Sequence, residues 1–236
     1  MRLDRIHGMH LDGYRRPLIY IPCIIQETSA IWRINSINAL YGNDMVMKQS
    51  FGARTIAYPL PVFVIGTYDH AGKPNAMIAA WGGICSSDPP SIAVSVRPTR
   101  HTYKNLMEKR AFTISIPSEN YMAEADYFGI ASGEDHDKFA TTGLTPVRST
   151  LVDAPFVREF PVVLECKVKS KVDIKAHVLF IGEILDVKID ESVIGSDGKP
   201  DLAKIRPLGF DVLRSEYYAM GSVVGKAFSS GKKYSR

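Results

Sequence analysis

Short runs of apolar and β-branched residues dominate the pattern of this chain, and turn-forming residues separate them. Runs rich in Val, Ile, Phe and Tyr that are bounded by Gly, Pro or Asp are typical of β-strands. Six such runs predict strands at residues 61–68, 75–81, 91–96, 111–116, 162–174 and 177–189. The turn at 69–74 predicts a hairpin between the first two, and Lys175-Ala176 predicts a tight connection between the last two.

The fifth run alternates between apolar and charged residues. Val162, Leu164, Cys166 and Val168 interleave with Glu165, Lys167 and Lys169. A period of two predicts a strand with one buried face and one solvated face. We therefore expect Glu165 to lie on the solvated face.

Helical patterns are few and short. Residues 103–110, 118–128 and 135–141 predict helices, with Thr102 and Ser118 as N-caps of the first two. Strands joined by short turns, with helices inserted between pairs, favour an antiparallel barrel over βαβ repeats. The Gly-, Tyr- and Ser-rich stretch after Gly209 predicts an extended tail that packs on a partner or on the barrel rim.

The first 46 residues lack this patterning, and we expect an N-terminal extension before one domain at 47–236. The apolar run at 18–25 follows two arginines as in a signal peptide, but Pro22 interrupts it and no small-residue cleavage site follows. We hypothesise that the true start is Met47 and that the upstream residues are a mis-assigned start or a poorly ordered tail. A docking arm is the alternative.

Composition narrows the function classes. The 236 residues are 45% hydrophobic and 23% charged, with a net charge of +4, which is ordinary globular composition. Lys and Arg form no block beyond short pairs, so a nucleic-acid surface is not indicated, and no apolar run approaches the ~20 residues of a membrane span. Cys23, Cys85 and Cys166 lack disulfide or metal spacing, which favours a reducing, cytoplasmic compartment.

An anion site is indicated where the third predicted strand turns polar. Arg97, Arg100, His101 and Thr102 fall within six positions just before the first predicted helix. A helix N-terminus offers unpaired N–H groups and a positive dipole end, and Arg adds charged planar donors. Basic residues there oppose the dipole, so an anion is expected to offset them, with a solvated helix start as the alternative. No glycine-rich loop of the Walker or Rossmann type is present here.

Three further residues have two interpretations each. Trp81 is either a core residue or, beside the Gly82-Gly83 pair, the wall of a site for a flat ring. Lys138 either forms a solvated salt bridge with its acidic neighbours or places its ammonium near a phosphate or redox ring. His177 is either a structural strand-end residue or a catalytic one. No GxSxG motif is present, so hydrolase chemistry has no support.

Five segments in this order together resemble the flavin reductase-like family of FMN-binding split barrels, especially its flavoredoxin branch. They are YPLPVFVIGTYDHAGKPNAMIAAW, SVRPTRHTYKNL, HDKFATTGLTP, KAHVLFIGEI and LGFDVLRSEYYAMGSVVGKAF. The resemblance covers residue 47 to about residue 234. It implies a mainly β fold, a six-stranded antiparallel Greek-key split barrel with a few helical insertions, that is usually a homodimer.

The resemblance also implies FMN bound non-covalently near the dimer interface. The residues matched to the isoalloxazine are Asn75, Ala76, Met77, Ala79, Ala80 and Trp81. The residues matched to the phosphate segment are Arg97, Arg100, His101 and Thr102. Three others match family residues that lie close to the flavin: Lys138, His177 and Phe210. Lys138 and His177 are the candidate catalytic residues. The family often has Thr or Ser where Met77 stands, which implies loss of a hydrogen bond to the ring.

The implied function is that of an FMN-dependent oxidoreductase, in the form of a flavoredoxin-type electron-transfer protein with a redox protein partner. An NAD(P)H:flavin oxidoreductase that reduces free flavin is the first alternative. A non-enzymatic module that binds flavin or haem is the second, and a pyridoxamine-phosphate-oxidase-like activity fits the motif order less well. No metal, nucleic acid or membrane partner is expected.

Overall fold

The computed structural model describes residues 48–235. Residues 48–55 contain no helix or strand, and the compact unit that holds every strand described below begins at Ile56. The predicted extension at 1–46, the proposed start at Met47 and the apolar run at 18–25 lie outside the described residues. Those expectations stay predictions.

Twelve strands in residues 60–219 make the molecule mainly β. They are β1 (Leu60–Pro61), β2 (Phe63–Tyr68), β3 (Pro74–Ala79), β4 (Gly82–Ser87), β5 (Pro90–Val96), β6 (Ala111–Ile116), β7 (Pro146–Arg148), β8 (Pro155–Val157), β9 (Val162–Ile174), β10 (His177–Ile189), β11 (Leu208–Asp211) and β12 (Glu216–Ala219). Seven of them form an antiparallel sheet in the order β3-β2-β6-β9-β10-β5-β4. β1, β11 and β12 form a three-stranded sheet, and β7 pairs with β8. All six predicted strands are confirmed as members of the large sheet.

The helices are short insertions between strands. They are α1 (His101–Lys109), α2 (Met122–Ile130), α3 (Lys138–Thr142) and α4 (Leu202–Ile205), with 3-10 turns at Glu119–Tyr121, Glu191–Val193 and Ser230–Tyr234. None of the helices within 48–235 is long and apolar enough to cross a membrane. The three predicted helices correspond to α1, α2 and α3.

The two predicted N-caps are wrong in detail. Arg100 is the N-cap of α1 and makes no side-chain capping bond, while Thr102 lies inside the first turn and is buried. Ser118 precedes the 3-10 turn that leads into α2, and its side chain caps nothing there. Asp137 is the residue whose side chain caps α3, because it accepts the Ala140 N–H at 3.1 Å.

Both predicted tight connections are confirmed. In the β2–β3 turn, the Asp69 carboxylate accepts the N–H groups of Ala71 at 2.9 Å and Lys73 at 2.8 Å, an Asx-type turn. In the β9–β10 turn, Lys175 takes a left-handed φ of 41°. These turns set the β2–β3 pair at one end of the large sheet and the β9–β10 pair within it.

The large sheet closes on itself through a two-residue link. β3 and β4 stand at opposite ends of the sheet order, yet only Ala80 and Trp81 separate them in the chain. The Ser95 N–H donates to the Trp81 carbonyl at 2.8 Å and holds the link against β5. A Cβ on Gly82 would lie 2.7 Å from the Ala93 carbonyl oxygen. The backbone at residue 82 therefore lies so close to β5 that glycine is required there.

Two apolar clusters hold the elements in place. The larger lies inside the sheet, with Ile65, Val94, Leu106, Phe112 and Phe180 fully or almost fully buried. A second cluster packs α2 and α3 on the outer side of β2 and β3, and its members include Val64, Ala76, Phe128, Phe139 and Phe160. The second cluster holds the two helices on either side of the α2–α3 loop against β3.

Glu165 is fully buried, so the prediction that it faces solvent is wrong. Its carboxylate accepts the Ser149 hydroxyl and pairs with the Lys188 ammonium. Burial of a carboxylate is tolerated when its oxygens are paired in this way. The chain between β7 and β8 covers this face of β9, and a pattern within β9 alone does not reveal that cover.

Candidate functional site

A cleft of about 280 Å³ opens where the large sheet closes. We call it the sheet-closure cleft, and its lining residues are Met77, Ile78, Ala79, Ala80, Trp81, Ser95, Val96, Arg97, Arg100 and His177. The register that pairs Val178 with Val96 brings the start of β10 beside the end of β5. Seven of the thirteen predicted site residues therefore converge on one cleft, from three separate stretches of chain.

Trp81 and His177 form one wall of the sheet-closure cleft. Their ring centroids are 4.7 Å apart at an interplanar angle of 43°, and Trp81 is half-buried. Arg97 Nε donates to His177 Nε2 at 3.4 Å. Burial, and then the charge of Arg97, lowers the pKa of His177. His177 therefore serves as an uncharged acceptor that orients Arg97.

The start of α1 has the charge expected of an anion site. Arg97 and Arg100 are exposed, and neither forms a salt bridge within residues 48–235. The first turn of α1 contains no acidic residue and has no side-chain cap. The positive dipole end and two guanidinium groups therefore meet with no carboxylate in the first turn of α1 and none paired with either arginine.

A second polar cluster adjoins this helix start. Asn75 is 4% exposed, and its Nδ2 donates to the Thr102 hydroxyl at 3.0 Å. Asn75 Oδ1 and His101 Nδ1 are buried, and neither has a hydrogen-bond partner in the described part of the chain. Because buried polar atoms are nearly always hydrogen-bonded, these two atoms are candidates for hydrogen bonds to a polar group of a ligand.

The loop between α2 and α3 packs against this cluster. A Cβ on Gly133 would lie 2.1 Å from Asn75 Oδ1, so the loop approaches as closely as glycine permits. Glu134 Oε1 lies 2.5 Å from Lys104 Nζ and 3.8 Å from His101 Nδ1. The hydrogen bond from Lys104, and then its charge, lowers the pKa of Glu134. Gly133, Glu134 and Lys104 were not predicted, because this contact is long-range and leaves no local signal.

Lys138 is buried rather than solvated, so its interpretation as an exposed salt bridge is wrong. It is 4% exposed, and its Nζ donates to the carbonyls of Phe128 at 3.1 Å and Ala131 at 3.3 Å. A cation at the C-terminal carbonyls of α2 complements the helix dipole. Burial, and then the charge of Arg100, lowers the pKa of Lys138 to about 8. Lys138 does not line the sheet-closure cleft, and its role beside a flavin stays a prediction.

Two other predicted residues lie apart from the cleft lining. Ala76 is buried in the outer cluster between β3 and α2. Phe210 lies in β11, where its ring centroid is 5.4 Å from that of Tyr217. Conversely, Ile78, Ser95 and Val96 line the cleft although they were not predicted as site residues. They belong to strands that were predicted, and they could have been identified only if the point where the sheet closes had been known.

The family model described as "Flavin reductase like domain" matches residues 54–210, which contain every residue of the sheet-closure cleft. This chain belongs to the flavin reductase-like family. Flavoredoxin of Desulfovibrio vulgaris (Miyazaki F) is 55% identical, and the match covers 79% of this chain and 100% of that one with a TM-score of 0.76.

Other members of the family share the fold at lower identity. Flavoredoxin from Methanosarcina acetivorans is 28% identical with a TM-score of 0.75, and the match covers 80% of this chain and 100% of that one. A split-barrel protein from Shewanella frigidimarina is 25% identical with a TM-score of 0.69, and the match covers 78% and 100%. The predicted family and the mainly β split-barrel fold are thereby confirmed.

The lowered pKa of Lys138 has a consequence for stability. In the unfolded chain the pKa of Lys138 returns toward 10.5, so between pH 8 and 10.5 the unfolded state holds a proton that the folded state has released. Stability due to this residue therefore rises with pH across that window. We expect the free energy of unfolding of the parent protein, relative to Lys138→Met, to rise by about 3 kcal/mol from pH 8 to 10.5. Urea unfolding at both pH values measures it, and a constant difference contradicts a buried, easily deprotonated ammonium.

Proposed function

We propose that the protein is an FMN-binding flavoprotein that transfers electrons in the manner of a flavoredoxin. The observation that carries this proposal is 55% identity over 100% of a flavoredoxin, combined with a cleft that joins an apolar wall to a basic helix start. Neither part alone is sufficient, because a barrel fold hosts many functions and an anion site accepts many anions.

The helix start supports the phosphate half of FMN. A phosphate monoester carries −1.5 to −2 charge near neutral pH, and it suits donors that are charged and planar. Arg97 and Arg100 supply such donors next to the uncompensated dipole of α1. His177 Nε2 accepts a hydrogen bond from Arg97 Nε at 3.4 Å, which favours one orientation of this guanidinium group.

The end of β3 supports the ring half. Met77, Ala79 and Ala80 give the sheet-closure cleft a small, apolar surface, and Trp81 closes one side. The unpaired atoms of Asn75 and His101 provide buried positions for polar groups of the ligand. The bound flavin would supply the hydride and electron chemistry. The chain would bind it, limit water access through Trp81, and stabilise negative charge on it through Arg97, Arg100 and the Lys138 ammonium.

The name of the family favours a second candidate, an NAD(P)H:flavin oxidoreductase that reduces free flavin. Both candidates require a yellow protein after FMN titration, and a protein that takes up no FMN refutes both. An anaerobic experiment separates them: the flavin band is followed after addition of NADH, NADPH or a reduced iron–sulfur electron donor. We expect the reduced iron–sulfur donor to bleach the flavin band and both nicotinamides to leave it unchanged. Bleaching by either nicotinamide within seconds, followed by reduction of added free flavin, contradicts the electron-carrier proposal.

Arg100 tests the phosphate assignment. We expect Arg100→Ala to weaken FMN binding roughly tenfold to a hundredfold, because hydrogen bonds to charged groups contribute about 1.5–3 kcal/mol. Riboflavin lacks the phosphate, so its affinity should change by less than about threefold. Quenching of flavin fluorescence measures both. Arg158→Ala removes an exposed arginine from the β8 end and is the matched control. Equal losses for FMN and riboflavin contradict the assignment.

Glu134 tests whether a carboxylate competes with that phosphate. Its side chain holds Lys104 and lies near His101, so removing its charge frees both for an anion. We expect Glu134→Gln to tighten FMN binding roughly threefold, the range of an exposed ion pair, and to leave riboflavin binding unchanged. Asp135→Asn is the control, since this neighbouring carboxylate is exposed. Weaker FMN binding by Glu134→Gln assigns Glu134 a supporting role instead.

A further inference from the structure

The side of α1 that packs against the sheet is largely polar. The buried residues of this helix are Thr102, Asn105 and Leu106, so two of the three carry a polar side chain. Leu106 lies in the larger apolar cluster. An apolar contact of this kind tolerates small rotations and shifts of a helix, because the hydrophobic effect has no preferred direction. Thr102 and Asn105 are therefore the groups that can define how α1 lies on the sheet.

Each of these two polar residues has a partner on the β2–β3 pair. Asn75 Nδ2 donates to the Thr102 hydroxyl at 3.0 Å, and Asn105 Nδ2 donates to the Thr67 hydroxyl at 3.0 Å. All four side chains are at most 4% exposed. We call these four residues the buried polar cluster. Loss of either hydrogen bond would leave a buried polar group without a partner, which is costly.

The spacing of residues on the helix matches their spacing on the sheet in this cluster. Thr67 and Asn75 are direct partners in the β2–β3 register, and Thr102 and Asn105 are three residues apart in α1. Opposed residues of an antiparallel pair and residues three apart on a helix both have Cβ atoms about 5 Å apart. A rotation of α1 about its axis, or a shift along it, would break both hydrogen bonds. The buried polar cluster therefore holds the helix in one orientation.

The two ends of α1 are held by different means. At the C-terminal end, Arg110 donates to a backbone carbonyl of β9 at 3.2 Å. At the start, the N-cap residue Arg100 makes no side-chain capping bond. Lys104 pairs with Glu134 on the surface, and an exposed ion pair contributes little. The position of the helix start therefore depends mainly on the buried polar cluster, in which Thr102 is the second residue of the helix.

The buried polar cluster also connects the two halves of the candidate site. Arg100 precedes α1 and lines the sheet-closure cleft, while Met77 and Ala79 supply part of the apolar surface of that cleft. Asn75, Met77 and Ala79 alternate along β3, so they face the same side of the sheet. The cluster thus sets the distance between the basic helix start and the apolar wall.

We propose that Thr67 and Asn105 are positioning residues for the phosphate of the ligand, because through Asn75 and Thr102 they hold the start of α1 at a fixed distance from β3. Neither Thr67 nor Asn105 lines the sheet-closure cleft, so their effect on a ligand is indirect. A ligand with both a ring and a phosphate contacts the two halves at once, and its affinity depends on their spacing. A ligand without the phosphate depends on the apolar half alone. This inference rests on the proposed function, since FMN is the ligand that spans both halves.

Variants of similar shape in the full-length protein test this role. Thr67→Val removes the hydroxyl that accepts from Asn105, and Asn105→Leu removes the donor. We expect each to weaken FMN binding at least about fivefold, part of the contribution of a charged hydrogen bond, and to change riboflavin affinity less than about twofold. Thr67→Ser keeps the hydroxyl and should retain the FMN affinity of the parent. Quenching of flavin fluorescence measures all of these. Equal losses for FMN and riboflavin, or no loss of either, overturn the proposal.

Thr113→Val is the matched control for a general loss of stability. Thr113 is fully buried, and its hydroxyl donates to the Pro155 carbonyl at 2.5 Å. It is the register partner of Gly66, so it faces the side of the sheet opposite to Thr67. We expect Thr113→Val and Thr67→Val both to lower the unfolding temperature by roughly 2–10 °C. Only Thr67→Val should lower the ratio of FMN affinity to riboflavin affinity, and a similar fall in Thr113→Val overturns the proposal.

Amide hydrogen exchange measures the position of α1 without a ligand. We expect exchange in peptides that cover residues 101–109 to be faster in Thr67→Val and Asn105→Leu than in Thr113→Val, because only the first two release the helix. Unchanged exchange in α1 overturns the proposal. A parent protein that binds neither FMN nor riboflavin refutes the proposed function instead, and the exchange measurement still decides whether Thr67 and Asn105 hold the helix.

Discussion

The closure of a seven-stranded sheet through a two-residue link is the constraint on which the rest of this structure depends. β3 and β4 lie at the two ends of the sheet, and Ala80 and Trp81 are the whole connection between them. So short a link keeps the two ends together. On the β4 side, Gly82 lies so close to the Ala93 carbonyl of β5 that no Cβ would fit, and Ser95 of β5 hydrogen-bonds the Trp81 carbonyl. The cleft is the space that remains at this junction, so the candidate site is a product of the topology.

Charge at the junction is organised around one helix. α1 follows β5 directly, so its positive end points to the place where the sheet closes, and the arginines before it lie at the rim. The neighbouring groups are arranged so that few of these charges are compensated: His177 accepts from Arg97 without a charge of its own, and Lys138 is satisfied by carbonyls. Among residues 48–235, Glu134 brings a carboxylate to His101 and Lys104 of this helix, and it does so from an exposed loop.

Sequence patterns predicted the strands that carry strong local signals. The bounds of β9 and β10 match their prediction, because long β-branched runs flank a tight turn. β4 was missed: its sequence GGICSS is small and polar, and only pairing with β5 makes it a strand. Glu165 was assigned to solvent because alternation within β9 contains no information about the chain that covers it. The carbonyl groups that accept from Lys138 could not be predicted either, since every residue has a backbone carbonyl and the sequence does not mark which ones lie near Lys138.

The position of Trp81 has a practical consequence. The chain contains two tryptophans, and Trp81 is the one in the link that joins the ends of the sheet. Its indole lies against an imidazole only when β10 has reached β5, a contact between residues far apart in sequence. Topologies rich in long-range pairing fold slowly, because the entropy of loop closure opposes each such contact. The surroundings of the Trp81 indole therefore report on barrel closure, since the imidazole lies beside it only when β5 and β10 are paired.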